Sequence, residues 1–277
     1  MFTTEALLVP LIIVTVFGVL AGGVINALAD DLPRRRRVTP PHYPDDTPRP
    51  FIAWLGITAF LFGKRASPNG VKLSWRYPLT EIGTVALMIF TVISLTDDPL
   101  MEPVQFIFWI AYLAIFMLIT VIDLEHRLIL FVVIIPSFVI ALIDPFVTTY
   151  GEPVGDTLLG AALGFGVFFA LYVGGFVFTH VMATVQKREI NEVAFGYGDV
   201  LLITLSGLIL GWRALIFAMF ITVFLGALGA IVYLIARNLS RNGYSMFTPL
   251  PYGQYIVIAT VIMMLYANEV AYAIRGY

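Results

Sequence analysis

Apolar residues in this chain neither alternate nor scatter; they gather into long runs separated by polar breaks. A helix rises 1.5 Å per residue, so a run of about twenty apolar residues crosses a hydrocarbon core roughly 30 Å thick. Backbone amides in lipid must be paired within their own segment, which makes such runs helices. The alternating pattern of an outer-membrane barrel is absent. The pattern predicts spans near 6–28, 78–96, 104–122, 128–147, 157–183, 199–212, 214–236 and 250–273. The sixth and seventh come from one apolar stretch, divided at Gly211–Trp212–Arg213. The first run begins almost at Met1 without a basic stretch or a small-residue cleavage site, and reads as a retained helix rather than a signal peptide.

The fold expected is therefore an all-α integral membrane protein of about eight transmembrane helices with one long cytoplasmic loop. It divides into a first transmembrane helix (1–29), a basic, proline-rich cytoplasmic loop (30–77) and a seven-helix membrane domain (78–277). Within the loop, residues 51–62 (FIAWLGITAFLF) are apolar but too short for a crossing, and are expected to lie at the interface or pack on the bundle. The prolines between Pro40 and Pro50 predict an extended, mobile stretch.

Composition agrees: 60% of the residues are hydrophobic and 12% charged, half the charge of an ordinary soluble domain. Placement of charge orients the chain. With 30–76 on the cytoplasmic side, 14 of the 16 lysines and arginines fall on inside connections, leaving Arg213 and Arg275 outside. The outside turns at 97–103 and 144–156 carry no basic residue. Both termini are then outside, and the run Arg34–Arg37 is a membrane anchor rather than a nucleic-acid site. A cysteine-free chain excludes disulfides and thiolate zinc, and His42, His126 and His180 show no ligand spacing, so no metal is expected.

Two carboxylates stand where apolar residues are expected. Asp123 ends the third span, and Asp199 opens the sixth in Gly196–Tyr197–Gly198–Asp199. These spans run in opposite directions, so topology puts both aspartates near the cytoplasmic face. Ionisable groups at that depth face a bundle interior or a wet cavity. A pair brought together shares one proton, and can deprotonate water while protonating a peptide carbonyl. The glycines let a substrate strand approach closely. Structural readings stand beside this one. Asp199 suits a helix N-terminus, and Asp123 suits a boundary position paired with Arg127.

At these residues the chain resembles the type IV prepilin peptidases, membrane aspartyl proteases of the GxGD type. Gly22–Gly23–Val24–Ile25–Asn26 and Asp31–Leu32–Pro33 are similar to the family's early Gly-Ser-Phe-Leu-Asn and Arg-x-Pro. Ser74–Trp75–Arg76–Tyr77–Pro78–Leu79–Thr80–Glu81 matches its Ser-x-Arg-Tyr-Pro-x-x-Glu. The family aspartates fall on Asp123 and Asp199, and Pro251–Tyr252–Gly253–Gln254–Tyr255 resembles its Pro-Phe-Gly-Pro-Tyr.

The resemblance implies an intramembrane aspartic endopeptidase of the inner membrane, with Asp123 and Asp199 catalytic and Gly196, Tyr197 and Gly198 supporting them. Its substrates would be prepilin-like membrane proteins, cut after the last glycine of a short basic cytoplasmic leader. Glu81 is a candidate contact for the leader, or a partner for a helix N-terminus. Arg127 is a further candidate contact. Many family members carry two cysteine pairs in the first loop, resembling a zinc site; here the second pair aligns with Ala66 and Asn69 and the first has no counterpart. Asp31, Leu130, Leu201 and Gln254 also depart from the family pattern. Some members methylate the new amino terminus with S-adenosylmethionine; that cofactor is implied here only if the second activity is retained. Competing readings are an inactive scaffold of the same ancestry and a transporter using the aspartates as a proton relay.

Overall fold

The computed structural model describes residues 4–95, 101–186, 196–239 and 252–275. Asp97 and Asp98 of the first outside turn, the basic residues Lys187, Arg188 and Arg241, and Pro251 of the last motif lie outside the described residues. The described chain is helical, with eight α-helices and one 3₁₀ turn. It forms two compact units, Met1–Val132 and Val133–Tyr277. Among the described residues five helices are long and apolar enough to cross a membrane, and two further apolar helices are shorter. The protein is a multi-pass membrane protein.

In the first unit, α1 (Thr4–Asp31), α3 (Arg76–Leu95) and α4 (Pro103–His126) pack together. Gly18 and Gly22 of α1 let the backbones close: a Cβ on Gly22 would lie 2.6 Å from the Glu81 Cα, and one on Gly18 would lie 3.0 Å from that of Val85. Small residues four apart give membrane helices the contact that lipid does not enforce. α4 begins at Pro103, whose missing N–H costs nothing in a first turn. It ends where Arg127 turns left-handed (φ 54°) and donates its N–H to the Asp123 carbonyl.

The loop between α1 and α3 differs from the extended stretch expected of its prolines. Two tight turns, closed by bridges between His42 and Pro48 and between Ala66 and Lys72, flank a 3₁₀ turn (Phe51–Ala53) and α2 (Gly56–Leu61). Tyr43, Ala53, Ala59, Leu73 and Tyr77 form a small core. Buried Arg49 donates to the His42 carbonyl, and the Tyr43 hydroxyl to that of Lys64. Proline disfavours helix here without preventing a fold held by side-chain hydrogen bonds.

The second unit holds α5 (Phe131–Val147, entering from the first unit's last residues), α6 (Val154–Gln186), α7 (Tyr197–Leu239) and α8 (Gly253–Arg275). α7 packs on both α6 and α8. Gly160 and Gly207 meet so closely that a Cβ on either would strike the other's carbonyl oxygen. The hydroxyls of Ser206 and Thr260 meet at 2.7 Å. α7 is broken at Gly211 (φ 67°, ψ 172°), in the tripeptide where the apolar stretch divides by sequence.

Candidate functional site

Asp123 lies in the last turn of α4 and is buried, 6% exposed. No donor among the described residues reaches its Oδ2. Its acidic neighbours are held differently. Arg76, at the start of α3, bonds Glu125 through one guanidinium nitrogen and Asp30 through another, both at 2.5 Å. The Tyr77 hydroxyl lies 3.1 Å from both Asp30 oxygens, and the Arg49 guanidinium sits 4.3 Å over the Tyr77 ring. The ends of α1, α3 and α4 are thus pinned together by a charge cluster that sequence motifs do not reveal. Residues two apart on a helix point to different sides. Glu125 therefore joins the cluster while Asp123 does not. Arg127 is exposed; its backbone N–H bonds the Asp123 carbonyl, and its guanidinium is within electrostatic reach of the Asp123 carboxyl.

Glu81 is fully buried, 0% exposed. It accepts the backbone N–H groups of Gly56 at 2.5 Å and Ile57 at 2.8 Å, and the Asn26 amide at 3.3 Å. Asn26 also donates to the Tyr77 carbonyl at 3.0 Å. Glu81 therefore meets a helix N-terminus, that of α2 rather than its own. Motif residues separated by the whole loop, Gly22 and Asn26 on α1 and Tyr77 and Glu81 on α3, form one packed joint.

In the second unit, Gly196 precedes α7 and Asp199 is its third residue. The Asp199 Oδ2 accepts the Gly196 N–H at 3.2 Å, the reach-back that an acidic third residue makes at a helix start. A Cβ on Gly196 would crowd that oxygen at 3.3 Å. Asp199 is 9% exposed. Tyr197 sets its ring edge-on to Tyr172, with centroids 5.7 Å apart. Tyr252, from the last motif, is within electrostatic reach of Asp199. The GxGD turn and the late Tyr-Gly-Gln-Tyr motif thus belong to one end of this unit. His180 lies on the exposed surface of α6.

The turn that holds Ala66 and Asn69, where the second cysteine pair of the resembled family aligns, carries other chemistry here. Asp45, in the first turn, accepts from the Thr47 hydroxyl at 2.7 Å and, across to the second turn, from the Ser67 hydroxyl at 2.7 Å and the Asn69 amide at 3.1 Å. The Thr47 hydroxyl has the largest effect and burial opposes it; with Ser67 and Asn69 added, the carboxyl is pulled down to about 2. Among the described residues no group of three or more His, Cys, Asp or Glu is placed to hold a metal ion. This donor set does not suit zinc.

The model of the Type IV leader peptidase family matches residues 110–231, which include both Asp123 and Asp199. The prepilin leader peptidase/N-methyltransferase of Aeromonas salmonicida (strain A449) is 26% identical over 221 residues, covering 80% of this chain and 67% of that protein. Its Bacillus subtilis (strain 168) namesake is 27% identical over 222 residues, covering 78% and 77%. That of Myxococcus xanthus (strain DK1622) is 29% identical over 206 residues, covering 68% and 50%. No solved structure matches the chain. The chain is thus similar to the type IV leader peptidase family over the stretch that holds both aspartates, and to prepilin leader peptidases over most of its length.

Proposed function

We propose that this protein is an intramembrane aspartic endopeptidase of the inner membrane, removing the short basic leader of type IV prepilin-like substrates at the cytoplasmic face. Asp123 and Asp199 are the catalytic pair. The observation that carries this reading is the contrast at the end of α4. Asp30, Glu81 and Glu125 are held by arginine, amide or backbone donors, while among the described residues no donor meets Oδ2 of the buried Asp123. A buried carboxyl oxygen that no donor meets supports the reading of a position kept for something other than stability.

In the proposed reaction the two carboxyls hold one proton between them. The ionised one takes a proton from water as the water adds to the scissile carbonyl carbon. The protonated one gives its proton to the carbonyl oxygen. Collapse of the gem-diol breaks the C–N bond, and the amine leaves with a proton returned from the pair. The Gly196–Asp199 bond supports this role by fixing the side chain's rotamer, and the glycines leave room for an extended substrate backbone beside it. The positive-inside pattern of the sequence supports a position for both carboxyls on the leader's side. The proposal is confined to proteolysis; the methyl transfer in the relatives' printed names is theirs, and S-adenosylmethionine is not part of it.

The test is cleavage of a leader-bearing pilin peptide by purified protein. Asp123→Asn and Asp199→Asn should each lower the rate by about a hundredfold or more, the scale of general acid–base catalysis, while the variants stay folded. Substantial residual cutting by both variants would refute the pair. Tight binding of the peptide by wild type without cleavage would favour the scaffold reading, and proton-coupled solute uptake in liposomes the transporter.

A further inference from the structure

The apolar segment 51–62 does not stand off the bundle as a surface flap. Leu55 lies against Gly23, where a Cβ would come within 2.6 Å of its methyl group, and Gly56 lies as close to Tyr77 and Pro78. Gly23 is eight residues before the end of α1, so Leu55 sits about 12 Å inside that end. The N-terminus of α2 is held by Glu81, five residues into α3, or about 7 Å inside its end. Gly23 and Glu81 both also fall inside the spans 6–28 and 78–96 read from the sequence, so two helices of one unit set the start of α2 beside membrane-spanning segments. A helix N-terminus there leaves N–H groups without water, and the buried Glu81 carboxylate supplies their acceptor.

The outer face of this element carries large apolar side chains. Phe51 is 82% exposed, Leu61 76% and Trp75 61%, and Ile52, Trp54 and Phe62 are exposed beside them. The rim is basic. Lys64 is exposed, and the Arg65 guanidinium sits 4.8 Å over the Phe60 ring and 5.7 Å from that of Trp75. An aromatic face under a cationic rim complements a phospholipid leaflet, with rings at the carbonyl level and cations at the phosphates. A water-facing surface would not combine this apolar face with that depth.

We propose that the 3₁₀ turn and α2 form a re-entrant foot immersed in the phospholipid leaflet at the α3 N-terminal end, with Phe51, Trp54, Leu61, Phe62 and Trp75 in contact with lipid. Glu81 is the positioning residue that makes this burial tolerable. The foot does not depend on the proteolytic reading, and its test involves no cleavage.

The experiment uses the full chain reconstituted in vesicles of phosphatidylcholine and phosphatidylglycerol carrying bromine either high or low on the acyl chain. Trp54→Phe and Trp75→Phe are mild changes at exposed positions. The emission lost in the double variant isolates these two rings from Trp109 and Trp212. That component should lose about half its intensity to shallow bromine, less to deep bromine, and little to aqueous iodide. Quenching by iodide and not by bromolipid would put the foot in water and overturn the proposal. Protection from both quenchers would overturn it equally, because a second copy or another protein would then cover the face.

Discussion

A carboxylate shared among three donors is hard to replace, and Glu81 is the clearest case at the scale of single residues. Its oxygens take two backbone N–H groups and one side-chain amide in a fully buried site. In Glu81→Gln the new NH₂ group must face at least one of those donors. The variant should lose about 2 kcal/mol, the worth of a hydrogen bond to a charged group, and more if an N–H is stranded. Glu125→Gln touches a half-exposed partner of Arg76 and should cost under about 1 kcal/mol. Thermal unfolding in detergent compares the two, and protease sensitivity within 51–62 should rise in Glu81→Gln alone. Equal destabilisation would mean that Glu81 does not hold α2. Neither substitution touches Asp123 or Asp199.

At the scale of elements, glycine decides where helices touch. Gly160 of α6 faces Gly207 and the Gly211–Trp212 backbone, where a Cβ would lie 2.7 Å from the Gly211 carbonyl carbon. Gly160→Ala therefore forces α6 and α7 apart and should cost on the order of 3 kcal/mol. Gly155, on the same helix with nothing within 4 Å, should accept alanine with a change under about 1 kcal/mol, in the stabilising direction. A pair of melting curves checks both. The helices themselves were legible in the sequence because span length and apolar runs are local signals. The break at Gly211 was legible too, since glycine, tryptophan and arginine together interrupt an apolar run. The loop fold was not. Its order rests on Asp45, Arg49 and Tyr43 bonding residues up to 24 positions away, and proline content says nothing of such pairs. Arg76 likewise reaches Asp30 and Glu125 across 46 and 49 positions. At the candidate site the two aspartates stood out because charge is rare in apolar runs. Glu81's partners did not, because a short helix folding back on α3 has no periodic signature.

For the molecule as a whole, the means of holding the loop decides what conditions the protein tolerates. Asp45 joins the two turns through hydroxyl and amide donors rather than through thiolates, and the chain has no cysteine. A metal chelator should therefore leave both the loop's protease resistance and any cleavage activity unchanged. Acid should act instead. Asp45 titrates at about 2 in the folded chain against an ordinary value of 3.8. A group whose folded value is depressed stabilises the fold above its unfolded value, and that contribution disappears as pH falls through the folded one. The loop should thus hold unchanged from neutral pH to about 4 and loosen as pH falls from there toward about 2. In Asp45→Ala the turns lose their common acceptor at every pH, so the loop should be cut faster even at pH 7. Limited proteolysis across pH, with and without EDTA, reads all three outcomes. If EDTA opens the loop at neutral pH and zinc closes it again, a metal is bound by residues other than the Asp45 set, and the account of how this loop is held is wrong.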